Sequence, residues 1–206
     1  MCVHVYRLEV PSCFYQKINL ASASISDAVC FTFLQTAEIS SKIYLINCLS
    51  AVQQPLTGQE VAANYVSNLC SVIETHTNVL VEKEVDAILR HCGLSSKISY
   101  IQNLTNEGRD DEHGPLAEVE EMSPQVLSEC LRTFFGLVMG NEGSLPEFEQ
   151  LQVPKLRSDA CTRVARALSG AYELLYGVIT DPRNRYPDPK SLVRHSPDQI
   201  RTILEI

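Results

Sequence analysis

The sequence predicts an all-α protein, and three observations lead to that fold class. Along the long apolar stretches, hydrophobic residues recur at steps of three and four, which places them on one face of a helix. Favourable helix starts occur at Thr57, Ser123 and Ser196, where a hydroxyl can satisfy free backbone N–H groups. Strictly alternating apolar and polar residues, the pattern of a half-buried strand, are not found. The secondary structure is therefore expected to be helical throughout.

Two helices are predicted in the first quarter of the chain. Residues 18–36 are rich in Ser and Ala and contain neither Pro nor Gly, which favours a helix. Residues 42–53 place their apolar side chains on one helical face. Pro55 and Gly58 then interrupt the pattern and predict a turn.

A long helix is predicted from about residue 61 to Cys92. The preceding Thr57-Gly-Gln-Glu60 has the form of a capping box, in which the Thr and Glu side chains bond reciprocally to backbone N–H groups. Apolar residues follow at helical spacing, with a polar gap around residues 74–78. Gly93 suits the left-handed position that ends a helix.

Residues 105–123 differ in kind from the rest of the chain. They contain seven carboxylates and one base, Arg109, a net charge of −6 out of the chain's −8. Few apolar residues offset the entropy of ordering, which predicts a mobile acidic loop. The loop divides the chain into an uncertain amino-terminal segment (1–37), a helical unit (38–104), the loop (105–123) and a carboxyl-terminal helical unit (124–206). The alternative function of this loop is a docking site for a basic partner.

The carboxyl-terminal unit is predicted to contain three helices. The first starts at Ser123-Pro124 and ends near Gly140 and Gly143. A long amphipathic helix with Leu168 in the middle of its apolar stripe follows from Ser158 to Thr180, and Asp181-Pro182 stops it. The last helix opens at Ser196-Pro-Asp-Gln199, a second capping box. We expect this short helix to contribute little core, and Ile203 to contact a partner.

Composition and charge argue against several classes of protein. A net charge of −8 and a pI near 5.1 disfavour nucleic acid as a partner, since phosphate binding needs a basic face. The eight cysteines include no C-x-x-C pair, and most lie in apolar helical stretches, where free thiols pack as small hydrophobes in a reducing cytosol. Signal-peptide and membrane-spanning patterns are not found in the sequence.

The residue types needed for catalysis do not occur in useful patterns. The histidines lack metal-ligand spacing, and His91 and Cys92 are adjacent, so a helix points them about 100° apart. Glycine-rich phosphate loops are not found. The acidic pairs Glu82/Glu84 and Glu120/Glu121 lie in charged segments that we expect to be exposed. The sequence thus predicts a protein that is not an enzyme, with no catalytic, cofactor-binding or metal-binding residues and no small-molecule substrate.

The end of the chain resembles a known family. The similarity lies in Tyr172 to Tyr176, the stop at Asp181-Pro182, Tyr186 to Pro189 and, above all, His195 to Leu204. These segments resemble the extreme carboxyl end of subunit 6 of the conserved oligomeric Golgi complex. Upstream, Ser41 to Leu49 and the helix from Tyr65 to Cys92 are similar to segments that precede that end, so the resemblance covers roughly residues 38–206.

The resemblance implies both architecture and function. It implies an extended rod of stacked antiparallel helical bundles, as in multisubunit tethering complexes. It also implies a non-catalytic subunit that acts in intra-Golgi, retrograde vesicle tethering and Golgi maintenance. Such a subunit would lie peripherally, and indirectly bound, on the cytosolic face of the Golgi membrane. The implied partners are the other subunits of the complex and, as a further class, SNAREs, with no cofactor.

The chain also departs from that family. Those subunits are several times longer, and their amino-terminal coiled-coil region has no counterpart here. We therefore expect a carboxyl-terminal fragment, a short isoform or a partial gene model. The alternative function is that of a generic cytosolic α-helical adaptor unrelated to the Golgi.

Overall fold

The computed structural model describes the backbone of residues 27–106, 114–140 and 148–206, and side chains in these ranges from Glu38 onward. Within them the chain forms helices and no strand, which confirms the predicted all-α class. Two compact units are distinguished, Met1–Glu38 and Ile39–Ile206, and the core described below belongs to the second. The α-helices are α1 (Asp27–Gln53), α2 (Ala63–His91), α3 (Ser95–Asn106), α4 (Pro124–Val138), α5 (Pro154–Thr180), α6 (Pro189–Leu192) and α7 (Pro197–Ile203). Short 3₁₀ helices cover Gln54–Leu56, Glu60–Ala62, Leu116–Glu118, Glu120–Met122 and Pro182–Asn184.

Helix α1 is continuous where the sequence suggested two helices. It runs without a break through residues 37–41, which contain neither Pro nor Gly and so have no reason to stop a helix. The earlier part of the first predicted helix, residues 18–26, lies outside the described residues. The second predicted helix, 42–53, is confirmed as the carboxyl-terminal half of α1.

The capping box predicted at Thr57 and Glu60 does not form. The Thr57 hydroxyl instead donates to the Gln53 carbonyl and so satisfies the end of the preceding helix. Glu60 opens a 3₁₀ turn, and α2 begins after it at Ala63 without a side-chain cap. Thr57 ends the 3₁₀ turn Gln54–Leu56, and its amide also donates to Gln53, so this residue closes the preceding helix and does not open the next one.

The end of α2 is confirmed at Gly93. This residue has a φ of 69°, and the Leu94 amide donates to the Leu89 carbonyl at 2.8 Å, the bond that closes a left-handed helix end. Helix α3 then starts at Ser95, an element that the sequence reading did not identify. Its apolar residues Ile98, Ile101 and Leu104 recur every three residues between polar ones, a short and weak signal.

The acidic segment is ordered at its described ends, which corrects the expectation of a mobile loop there. Residues 105 and 106 belong to α3, and two 3₁₀ turns follow from Leu116 to Met122. The side chains of Leu116 and Met122 are buried in the core. Two apolar anchors therefore outweigh the acidic composition around them. Residues 107–113 lie outside the described residues.

Prolines set the starts of α4 and α5. Helix α4 begins at Pro124 as predicted, although the Ser123 hydroxyl makes no capping bond. Helix α5 begins at Pro154, four residues before the predicted start at Ser158. The reason is that proline is favoured at the first position of a helix, where its missing N–H has no partner to lose. The predicted stop at Asp181-Pro182 is confirmed, and Gly143 lies outside the described residues.

Helix α5 is the central element of the core. Its buried stripe is the one the sequence predicted: Ala160, Val164, Leu168, Ala171, Leu175 and Ile179. Helix α4 contacts it where Phe134 stacks on Tyr172, and Tyr186, beyond the end of α5, donates to the Met122 carbonyl, before the start of α4. Residues of both ranges 38–104 and 124–206 contribute to this one hydrophobic core.

The carboxyl end packs into the core, and this corrects a second expectation. The predicted capping box of α7 is present, with reciprocal bonds between Ser196 and Gln199. Ile200, one turn into α7, is completely buried, and Arg201 pairs with Glu173 of α5. The helix was expected to contribute little core because it is short and lies close to the chain end. Ile200 shows that one well-placed side chain is sufficient to anchor it.

Candidate interaction surface

The described residues lack the groupings that metal binding requires. No three His, Cys, Asp or Glu side chains among them lie close enough to hold a metal ion. As the helical geometry predicted, His91 and Cys92 point apart: His91 is exposed, whereas Cys92 is buried. Burial raises the pKa of the Cys92 thiol to about 11, with a further contribution from nearby Cys130, and this keeps it protonated and unreactive.

The acidic pair at Glu82 and Glu84 does not behave as expected. Glu82 is exposed, but Glu84 is half-buried, and burial raises the pKa of its carboxyl group. Sequence reasoning placed both in an exposed charged turn because Lys83 lies between them. Residues 83–88 of α2 are all half-buried, so the helix is partly covered on every side at this point. This partial cover explains why Glu84 is less exposed than expected.

The residues that resemble the Golgi-complex family mainly hold the carboxyl end in place. Tyr172 is buried between Phe134 and Phe135, and its hydroxyl donates to the backbone carbonyl of His195. The Tyr186 hydroxyl donates to the Met122 carbonyl at 2.9 Å, and burial raises the pKa of Tyr186 to about 12. These residues act in packing and are not available as a binding surface.

Exposed apolar side chains are concentrated on α1 and the start of α2. Helix α1 turns Ile43, Ile46 and Ser50 toward the core. Between Ile43 and Val52 the exposed side of α1 is also mostly apolar, and Tyr44 is 64% exposed there. The exposed residues lie on one face of α1 (Tyr44, Leu45, Cys48 and Val52) and on one face of α2 (Tyr65 and Val72), with Val61 in the turn between the helices. We call these two faces together the α1–α2 apolar surface.

This region is also depleted in charge. Charged residues make up a fifth of the chain, yet Glu60 is the single one among the 31 residues from Ile43 to Ile73. The cores of protein–protein interfaces are similarly poor in charged residues and rich in aromatic ones. The α1–α2 apolar surface, with Tyr44 and Tyr65 exposed, therefore has the composition of an interface and not of a solvated face.

Two local contacts lie at or beside this surface. A hydrogen bond with the Cys48 thiol, one helical turn away, raises the pKa of the Tyr44 hydroxyl. Where the helices meet, Gln53 Nε2 lies 2.7 Å from Cys70 Sγ. Sequence reasoning did not locate the surface, because it favoured core packing over protein–protein scaffolding for the apolar stripes and could not tell which of them is covered. The signal that could have identified it is the absence of charge across two successive helices.

Within the described ranges, no helix combines the length and the apolar content that a bilayer crossing needs.

The chain is similar over most of its length to a family of proteins. The family model described as Conserved Oligomeric Golgi complex subunit 6, C-terminal, matches residues 10–204. Three proteins named Conserved oligomeric Golgi complex subunit 6 are similar to it. The protein from Arabidopsis thaliana is 58% identical over 172 residues, 84% of this chain and 24% of the relative. That from Dictyostelium discoideum is 31% identical over 198 residues, 94% of this chain and 28% of the relative. That from Homo sapiens is 24% identical over 172 residues, 83% of this chain and 25% of the relative.

These matches fix the family and the part of it that the chain represents. No solved structure matches the chain significantly. The chain spans about a quarter of the length of the curated relatives it matches. The match to the family model, together with 58% identity over most of the chain, shows that the chain belongs to the family of conserved oligomeric Golgi complex subunit 6 and corresponds to its carboxyl-terminal portion.

Proposed function

We propose that the chain acts as a non-catalytic part of a Golgi vesicle-tethering complex, in intra-Golgi retrograde transport and Golgi maintenance. The observation that supports this most strongly is the family match across residues 10–204. In this role the chain forms part of an extended rod of stacked helical bundles. It works through protein–protein contacts and not through chemistry on a small molecule.

The partners we propose are the other subunits of the complex, with SNAREs as a second class. The α1–α2 apolar surface supports a role in protein contacts, since it has the composition of an interface core. The net charge of −8 opposes nucleic acid as a partner. We propose that the chain reaches the Golgi membrane peripherally, on its cytosolic face, through these subunits.

The test is co-isolation of the chain with the complex. The tagged chain is expressed in Arabidopsis cells, where the native relative is 58% identical to it. We expect affinity capture followed by mass spectrometry to recover several subunits of the Golgi complex, and we expect the chain to co-migrate with them in a density gradient. As a matched control, Leu168→Asp puts an unpaired carboxylate into the core and should abolish both results.

The outcome separates the two functions considered for this fold. Recovery of helical partners without any subunit of the Golgi complex would favour a generic adaptor and contradict the proposal. Staining of the tagged chain that overlaps a Golgi marker, and is lost when a sister subunit is depleted, would support indirect and peripheral attachment.

A further inference from the structure

A groove lies between α3 and α5, beside the ordered part of the acidic segment. Its volume is about 400 Å³, within the range of about 300–1,000 Å³ that is usual for binding pockets. Leu116 of the acidic segment lines it and is buried, whereas Leu174 of α5 lines it and is 41% exposed. Further apolar lining comes from Ile101 and Leu104 of α3 and from Val178 of α5. We call this cavity the α3–α5 groove, and it is mostly apolar although solvent reaches it.

Gly177 of α5 leaves space in this groove that the fold does not use. Glycine within a helix is less favourable than alanine, so a helical glycine usually has a packing reason. Apart from its own helix backbone and the two adjacent residues, a Cβ atom on Gly177 would have no atom within 4 Å among the described residues. Close packing of the chain therefore does not require glycine here, and the space beside it is free for another molecule.

An acidic surface adjoins the apolar lining. The carboxylates of Glu173 and Asp181 line the groove, and no base does. Arginines outside the lining pair with these two carboxylates and with Glu118. Glu120 and Glu121 are exposed and have no ion pair among the described residues, and the acidic segment as a whole carries a net charge of −6. This surface attracts a basic partner and repels anionic lipid headgroups.

The length of the groove matches one face of a short helix. Along α5 the lining runs from Glu173 to Asp181, which is about 12 Å at 1.5 Å per residue. An amphipathic helix that binds in a groove presents apolar side chains at i and i+3 or i+4, and such neighbours lie about 5–6 Å apart. Two apolar side chains one turn apart therefore fit the groove, and basic side chains next to them reach the acidic surface.

We propose that the α3–α5 groove binds an amphipathic helix of a partner protein, with apolar side chains in the groove and lysine or arginine at its borders. The inference rests on the proposed role in protein–protein contacts and names the kind of partner that this site takes. Its test uses the purified chain. Failure of the co-isolation experiment would therefore leave the groove as a binding site, and failure to bind a basic helix would leave the tethering role standing.

The probe is a pair of fluorescently labelled model peptides. Each has about 15 residues, the length at which an isolated helix begins to form in water. The basic peptide carries leucines at i and i+4 on one face and lysines beside them, and the acidic peptide has glutamate in place of every lysine. Fluorescence anisotropy with the purified chain measures binding at about 0.15 M salt. We expect the basic peptide to bind at least about tenfold more tightly than the acidic one.

Leu174→Asp distinguishes the groove from attraction by surface charge alone. The variant makes the chain more acidic, so a peptide held only by charge would bind more tightly. A peptide seated in the groove would instead bury the new carboxylate, and its binding should weaken by at least about tenfold. Met139→Asp is the matched control, because it adds the same charge at a side chain that is 37% exposed and lies outside the groove. It should bind the basic peptide at least as tightly as the parent.

Gly177→Leu protects the test against loss of folding. Leucine favours a helix more than glycine does, and its Cβ has free space, so the variant should melt no lower than the parent. Its side chain occupies the groove and should weaken binding of the basic peptide by at least about tenfold. The proposal is overturned if the parent does not prefer the basic peptide, or if folded Gly177→Leu or Leu174→Asp binds it as tightly as the parent. Binding of phosphatidylserine vesicles without binding of the basic peptide would also overturn it and assign the groove to a membrane.

Discussion

The hydroxyl of Tyr172 on α5 donates a hydrogen bond to the backbone carbonyl of His195, which lies 23 residues later in the chain. The same ring stacks on Phe134 of α4, with ring centroids 5.8 Å apart and planes within 2° of each other. Phe135 contacts both Tyr172 and His195 edge-on. One buried side chain therefore connects α4, α5 and the segment before α7.

Tyr172→Phe tests the hydrogen bond while keeping the stacked ring. We expect a loss of about 0.5–1.5 kcal/mol in the free energy of unfolding, the typical net contribution of such a bond. In a chain of this size this lowers the melting temperature by about 2–4 °C per kcal/mol. Chemical denaturation checks it. Tyr176→Phe, on a half-buried ring of the same helix, should change stability by much less, and equal losses for the two variants would contradict the assignment.

Alkaline pH should destabilise the fold through the buried tyrosines. Burial raises the pKa of Tyr186 to about 12, and it raises the pKa of Tyr172 as well. The folded state therefore holds these protons after the unfolded chain, with a tyrosine pKa near 10, has lost them. The stabilisation is complete below pH 10 and decreases as the pH rises toward 12. Denaturation curves at several pH values check this, and Tyr186→Phe should flatten the decrease.

The helices of the central core could be predicted from the sequence because their signals are local. The stripe of α5, the glycine end of α2 and the capping box of α7 each depend on residues a few positions apart. The burial of Leu116 and Met122 could not be predicted in this way, since it depends on contacts with helices distant in sequence. The α1–α2 apolar surface was missed for the same reason, because periodicity alone does not distinguish an apolar side chain that is covered from one that is exposed.

Leu116→Ala tests whether the acidic segment is anchored. Leu116 is buried beside Ile101 and Leu104 of α3, so truncation should lower the free energy of unfolding by about 2–5 kcal/mol. Glu118→Ala, two residues away on an exposed side chain, is the matched control and should change it by less than about 0.5 kcal/mol. Thermal melting of both variants decides the question. Equal melting temperatures would show that the segment is not packed.

Arg163 and Glu74 connect α5 to α2 through a bidentate contact. The guanidinium lies 2.6 and 3.2 Å from the two carboxylate oxygens, and its hydrogen bond lowers the pKa of Glu74. Because the pair is partly exposed, a double-mutant cycle with Arg163→Gln and Glu74→Gln should give a coupling of about 0.2–1 kcal/mol. The coupling should decrease in about 1 M salt, where the screening length is about 3 Å. A coupling that vanishes already at low salt would contradict this contact.

The neighbouring residues Ile200 and Ile203 allow the role of α7 to be divided between packing and binding. Ile200 is completely buried against α5, whereas Ile203, one turn later, is 39% exposed. Ile200→Ala should therefore lower the free energy of unfolding by about 2–5 kcal/mol through the cavity it leaves. Ile203→Asp should leave the melting temperature close to that of the parent, because its carboxylate remains in water.

Capture of Golgi-complex subunits from Arabidopsis cells is then compared for the parent and Ile203→Asp at equal expression. We expect Ile203→Asp to capture fewer subunits, because a charge on an exposed apolar position opposes its burial against a partner. Full capture by a normally melting Ile203→Asp would exclude the exposed side of α7 as a binding surface and leave it a purely structural helix.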